Sequence, residues 1–252
     1  MIYVEKAPCP EDIQENFAKQ KAKPEWNDIP EEPNGEQADV LRREFFDKLN
    51  KDCLREVLVK EQHGLCVYSM SRIENTADST VIEHWYPLSK SKERALKYEN
   101  LFASCYGGQK KTVNDARRIC CCDAKKHDAI IDVDPRNQRM MENIVYYSDG
   151  RIDFLGTYAT RTIRNKLRHD LWYTLGLNGS IKNDGTMLAD TATELVKNRK
   201  DAYVAAEAML EVLEEDGELS AEKVEEIISD MKSKDIWDEY IGVTMFVLRQ
   251  GI

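Results

Sequence analysis

The chain has 252 residues, 36 Lys plus Arg against 46 Asp plus Glu, a net charge of −10, and 33 % charged and 42 % hydrophobic residues. These proportions exclude a disordered chain, and no apolar run approaches the roughly 20 residues a bilayer requires, which excludes a helical membrane protein. The overall acidity argues against a surface coated everywhere by nucleic acid, and the length is enough for one large domain or two small ones.

Residues 1–36, with Pro8, Pro10, Pro24, Pro30 and Pro33, read as loop-rich. The start has no basic stretch leading into an apolar one, so no secretory signal is expected, and the default compartment is the reducing cytoplasm. Residues 37–62 predict one amphipathic helix carrying Val40, Leu41, Phe45, Leu49, Leu54, Val57 and Leu58, ended by Gly64. Residues 65–69 (LCVYS) and 79–85 (STVIEHW) read as strands, 91–103 as a helical piece, and 106–118 as a polar loop. Residues 143–154 (NIVYYSDGRIDF) form the clearest hairpin, because Asp-Gly suits the positive-φ positions of a tight turn. Helices are expected over 158–175, 187–215, 220–232 and 236–250.

The chemistry-bearing residues lie mostly in 62–126. Glu83-His84 ends an apolar strand, where a carboxylate can hold a hard cation and an imidazole can deprotonate water. Asn100 and Cys105 follow, then Cys120-Cys121-Cys122-Asp123-Ala124-Lys125-Lys126. Seven cysteines, three of them adjacent, do not make a disulfide framework; in a reducing compartment such clustering points to metal or redox chemistry, with burial as small apolar side chains the plainer alternative.

The order Cys66, Glu83-His84, Asn100-Leu101, Cys105, Cys122-Asp123-x-x-Lys126 resembles the HNH endonucleases, which share the ββα-metal fold. The resemblance narrows further. Residues 62–73 (QHGLCVYSMSRI) look like the family sequence Gln-Gly-x-Leu-Cys-Ala-Tyr-Cys-Met-x-Arg-Ile, 82–89 (IEHWYPLS) match Ile-Glu-His-Trp-x-Pro-x-Ser, and 121–126 (CCDAKK) look like His-Cys-Asp-x-x-Lys. With the hairpin around Ser-Asp-Gly-Arg-Ile and the ending at 239–248, these are similar to the PtuB-type HNH nucleases of Septu and retron anti-phage systems.

That resemblance implies an α+β fold: a small ββα-metal HNH core over 63–135, flanked by an N-terminal loop and helical region (1–62) and by a hairpin and helical region (136–252). It implies a metal-dependent cytoplasmic endonuclease acting on DNA, with RNA or tRNA as the alternative, and controlled by a PtuA-like ATPase subunit, with a retron reverse transcriptase and its msDNA as further partners. His84 would be the general base, Glu83 and Asp123 would ligate a divalent ion, Mg²⁺ or Mn²⁺, Asn100 would brace the loop, and Lys126 or Lys125 would neutralise charge on phosphate. Asn100 as a turn residue and Asp123 as a helix cap are the plainer readings.

A structural zinc needs four Cys or His ligands. Cys66, Cys105 and Cys122 fall on the expected positions, but Ser69 stands at the fourth, and a hydroxyl does not ionise as a thiol does. Three thiolates with a stand-in such as Cys121 or His63, weak binding, and a metal-free knuckle are all open. Cys121 reads as awkward, since neighbouring side chains diverge. The broken knuckle also leaves open a catalytically impaired, nuclease-derived binding subunit, and the Cys120–Cys122 run a thiol redox module. His127 and His169 read as surface residues, Trp26, Trp172 and Trp237 as packing anchors, and Trp85 as packing beneath the His strand. The charge is uneven: 88–126 hold ten bases and four acids, 205–230 ten acids and one base. The second reads as a solvated face or a partner-docking surface; the first leaves room for a local phosphate site.

Overall fold

A computed structural model describes residues 1–31, 35–107, 120–179 and 194–252. The helices α1 (Glu11–Lys21), α2 (Pro24–Asn27), α3 (Gly35–Asp47) and α4 (Lys51–Glu61) come first. Strand β1 (Thr80–His84) is followed by α5 (Lys92–Ala95), β2 (Leu101–Cys105) and the one-turn helix α6 (Asp123–Lys126). Then come α7 (Gln138–Met141), β3 (Ile144–Tyr146), β4 (Ile152–Phe154), α8 (Arg161–His169), α9 (Glu194–Glu215), α10 (Ala221–Ser233) and α11 (Ile241–Gln250). Among the described residues the fold is mixed, with two small antiparallel sheets, β1–β2 and β3–β4, set among helices. No described helix is long and apolar enough to cross a membrane.

The Asp-Gly hairpin and the helices after residue 158 form where the pattern predicts, although the last one starts only at Ile241. Four expectations are corrected. The N-terminal region is not mainly loop: α1 buries Ile13 and Phe17, and α2 takes Pro24 at its first turn, where the missing N–H costs nothing. The helix expected over 37–62 is two helices. Asn50 breaks it, its side chain accepting from Cys53 N as the cap of α4, and the five-residue step from Leu49 to Leu54 fits two helices better than one. Residues 65–69 are a turn, with only an isolated bridge between Leu65 and Arg72 in place of a strand, closed by Cys66 N to Ser71 O and Met70 N to Cys66 O. The helical reading of 91–103 survives in α5 and in a 3-10 turn at Tyr98–Asn100; 101–103 belong to β2, a short apolar run that periodicity cannot assign. Most of the polar loop and the first residues of the 187–215 helix lie outside the described residues.

One core cluster draws on residues from Met1 to Val247. Gln62, 2 % exposed, stitches α4 to β2: its amide donates to Leu65 O and Ala103 O and accepts from Ala103 N, each at 2.8 Å. The far end of the chain closes over the 65–73 turn. Trp237 N donates to His63 O at 3.0 Å, Tyr240 N to Met70 O at 3.1 Å, and Arg72 Nη2 to Trp237 O at 2.6 Å. Arg199 of α9, 1 % exposed, donates to Gly150 O at 2.8 Å and to Leu177 O, pinning α9 to the second hairpin.

Candidate active site and metal centre

Strand β1 pairs with β2 in the register Glu83↔Phe102 and His84↔Leu101. Successive strand residues face opposite sides, and the contacts of Glu83 and His84 follow that rule. Glu83 faces α6 and the 65–73 turn. Its Oε1 accepts from the Tyr68 hydroxyl at 2.9 Å and pairs with Lys126 Nζ at 2.7 Å. Lys126 is fully buried and also donates to His84 O at 2.9 Å, so it is the internal counter-ion of Glu83 and is not positioned against solvent. Burial pushes the Glu83 carboxyl up to about 8; Lys126 pulls the other way, and the neighbouring Asp123 carboxyl adds to the rise. Asp123 opens α6 without capping it, since the helix start has no side-chain cap bond.

His84 has a different set of neighbours. Its ring meets Phe46 of α3 edge-on at 4.4 Å, and its Nε2 lies 3.0 Å from Ala95 O. A carbonyl only accepts, so Nε2 carries the proton and Nδ1 keeps its lone pair. Burial pushes the imidazole down to about 3, and Lys51, Lys126 and Arg43 act in the same direction. It is therefore neutral at pH 7, the form a general base needs.

Asn100, 3 % exposed, braces this segment. Its Oδ1 accepts from Tyr86 N at 2.8 Å, and its Nδ2 donates to Tyr86 O at 2.9 Å and Arg94 O at 3.0 Å. The residue after Arg94 is the Ala95 that orients His84. Glu83, Asp123 and Lys126 thus share one face of β1, His84 occupies the other, and Asn100 ties the loop beyond. Sequence reasoning assigns no role to Tyr68, although it lies in the Cys-Val-Tyr-Ser stretch, nor to the Ala95 carbonyl, which leaves no side-chain signal.

Beside this face, the Sγ atoms of Cys66, Cys105 and Cys122 all lie within 4.8 Å of one another. Cys105 and Cys122 are 3.7 Å apart, and Ser69 Oγ is 3.7 Å from Cys105 Sγ. A sulfur cluster this tight could hold a metal ion. The expectation that Cys121 and Cys122 diverge is corrected: their sulfurs are 3.6 Å apart. Cys122 has φ 57° and ψ −139°, and this unusual backbone turns both side chains to the same side. Hydrogen bonds from Cys105 and Cys122 hold the Cys121 thiol down to about 4, whereas burial pushes Cys66 up.

The remaining expectations sort themselves by environment. His127 and His169 are exposed. Trp26 is buried, the Trp172 indole donates to Ile152 O, and Trp237 stacks on His63 at 3.9 Å. Trp85 donates to Val133 O at 2.8 Å, under the Arg136 guanidinium. No protein-family model matches the chain, and comparison with curated proteins gives no significant match.

Proposed function

We propose that this chain is a metal-dependent HNH endonuclease of the ββα-metal type that hydrolyses phosphodiester bonds in DNA, an effector of anti-phage defence under the control of an ATPase partner. The observation that carries the chemistry is the placement of His84, its tautomer set by Ala95 O, next to Glu83 at the end of β1, with the Asp123 carboxyl at the start of α6 beside Glu83. The order β1, β2, α6 matches the element order of that fold, and the defence role and the partner rest on the sequence resemblance alone.

Two adjacent carboxyls are hard oxygen donors, which suits Mg²⁺ or Mn²⁺. Such an ion would supply charge stabilisation at the scissile phosphate. The chain's own residues do the rest. His84 Nδ1 takes the proton of the attacking water, and Nε2–H···O=C of Ala95 keeps the ring from rotating. Asn100 fixes the Tyr86 and Arg94 backbone on either side of that contact. Lys126 holds the Glu83 carboxyl in place and counters its charge.

A phosphate-binding surface is supported by α8. Arg161 and Lys166 are exposed, Arg164 and Arg168 half-buried, and 161–169 contain no acid. The turn after α8 meets the start of α6, where Cys122 N donates to Leu175 O at 2.9 Å.

The test is His84→Ala against wild type, with Mn²⁺ or Mg²⁺, on supercoiled plasmid and on total tRNA, with and without a PtuA-like ATPase. A general base contributes on the order of 10²–10⁴-fold. A loss of that size supports the reading, and unchanged cleavage sinks it. Cleavage of tRNA in preference to plasmid replaces the DNA assignment.

A further inference from the structure

We propose that α8 and the turn that ends it bind unpaired nucleotides, with Tyr173 as the ring on which a base stacks and Arg161 and Lys166 as contacts to the sugar–phosphate backbone. Capture of the strand rests on α8 itself; that the captured strand is cut rests on the proposed nuclease activity.

The helix is basic on every exposed side. Residues 161–169 carry Arg161, Arg164, Lys166 and Arg168 and no acid. The next acid, Asp170, is turned inward, its carboxylate accepting from Asp132 N at 2.6 Å and Val133 N at 3.2 Å. Asp153, buried on β4, is bound at both carboxylate oxygens by Arg168, at 2.9 and 2.8 Å. Arg161, Arg164 and Lys166 are left to set the local field, and a polyanion is its complement.

A basic helix alone would take any phosphate backbone; an exposed ring selects the unpaired one. Asp170–Thr174 form a single turn of π-helix, closed by Leu175 N donating to Asp170 O at 2.8 Å. Within that turn Leu171 is buried, and Trp172 is tied to Ile152 O and covered by the Arg168 guanidinium at 5.2 Å. Tyr173 is left 45 % exposed, its ring 5.3 Å from that of the exposed His169 one turn earlier. A base inside a duplex has both faces covered by its neighbours, whereas an unpaired base can lie on such a ring.

This ring stands next to the candidate site. Two residues after Tyr173, Leu175 O accepts from the backbone N–H of Cys122, the residue before Asp123. Gly176 follows with φ 61°, and a Cβ there would stand 2.5 Å from Lys125 Cδ and 3.0 Å from Lys125 Nζ. Glycine at this point lets the Lys125 side chain lie across the turn. A strand with one base on Tyr173 therefore meets a further cation on its way to α6.

The test is binding in EDTA, which removes cleavage from the readout. Fluorescein-labelled oligo-dT, oligo-rU and a duplex of equal length are titrated by anisotropy with wild type, Tyr173→Ala, Tyr173→Phe and a variant with Arg161 and Lys166 both replaced by Gln. Tyr173→Ala should weaken single-strand binding by about 5–150-fold, the range for loss of one stacking ring, and duplex binding by less than about 2-fold. Tyr173→Phe should restore the single-strand affinity, and the double Gln variant should weaken strand and duplex alike. Tighter binding of oligo-dT assigns the strand to DNA and of oligo-rU to RNA, and either supports the site when it depends on Tyr173. Unchanged single-strand binding by Tyr173→Ala overturns the proposal, as does equal weakening of strand and duplex, or failure of the wild type to bind either single strand. None of these readouts depends on His84, so a failure here and a failure of nuclease activity are separate results.

Discussion

The Asn100 amide makes three backbone hydrogen bonds in a dry setting, and removing it strands Tyr86 N, Tyr86 O and Arg94 O together. Each buried polar group left unpaired costs about 1–3 kcal/mol, so Asn100→Ala should lower stability by about 2–4 kcal/mol in denaturant titration, well above the effect of a surface Asn. His84 gives a pH signature. Its folded pKa, about 3, lies below the unfolded value of about 6.5, so the unfolded chain binds the extra proton between those limits and stability falls as pH drops through that window. Wild type should lose up to about 3 kcal/mol between pH 6.5 and pH 4 from this residue, and the same pair of titrations on His84→Asn should show a smaller loss. At this scale the sequence is informative about residue type and silent about backbone. Glu83, His84, Asn100 and the cysteine trio are recognisable because their chemistry is unusual at those spacings. The use of Lys126 as a buried counter-ion, and the convergence of Cys121 with Cys122, depend on burial and on one positive φ, and neither leaves a mark in composition.

Among the elements, the break between α3 and α4 depends on Asn50, and Asn50→Ala should cost about 1 kcal/mol, the usual value of a lost N-cap, measurable by thermal or chemical melting. The exposed bases of α8 bear on the proposed substrate. Replacing Arg161 and Lys166 by Gln should weaken binding of a fluorescent DNA duplex alike for different sequences. It should also flatten the log K against log[salt] slope by about 1 for each phosphate no longer neutralised; an unchanged slope would remove α8 from the interface. The β3–β4 hairpin is readable because its turn chemistry is local, and α9, α10 and α11 because their apolar residues recur at helical spacing. β2 is not, because LFASC is apolar almost throughout and owes its strand form to pairing with β1, twenty residues away. The same limit explains α1, whose polar sequence shows only Ile13 and Phe17 as core-facing apolar residues.

Across the whole molecule, the net charge of −10 conceals a separation. The acidic stretch falls on the distal half of α9 and on α10, while the candidate site and α8 lie in basic or neutral sequence. Long-range closure holds these parts in one piece. Gly242 of α11 sits so close to the knuckle turn that a Cβ would meet Met70 Sδ at 2.8 Å and Ile2 Cγ2 at 2.9 Å. Gly242→Ala should therefore destabilise by about 1–3 kcal/mol through overpacking, although alanine is the better helix former and an isolated α11 would gain from the change. No pattern within 237–243 announces this role, since it exists only once two distant stretches of the chain have met.

That closure also sets an order of events in time. The turn bearing Cys66 and Ser69 receives its bonds from Trp237, Glu239 and Tyr240, which leave the ribosome more than a hundred residues after Asp123. At typical synthesis rates that interval is on the order of 10 s. Throughout it the turn relies on its contacts with β2, Val67 N to Ala103 O and the bridge through Gln62, and lacks the bonds from the C-terminal residues. Folding of the 65–73 turn is therefore completed only after the C-terminal residues that clamp it have been made.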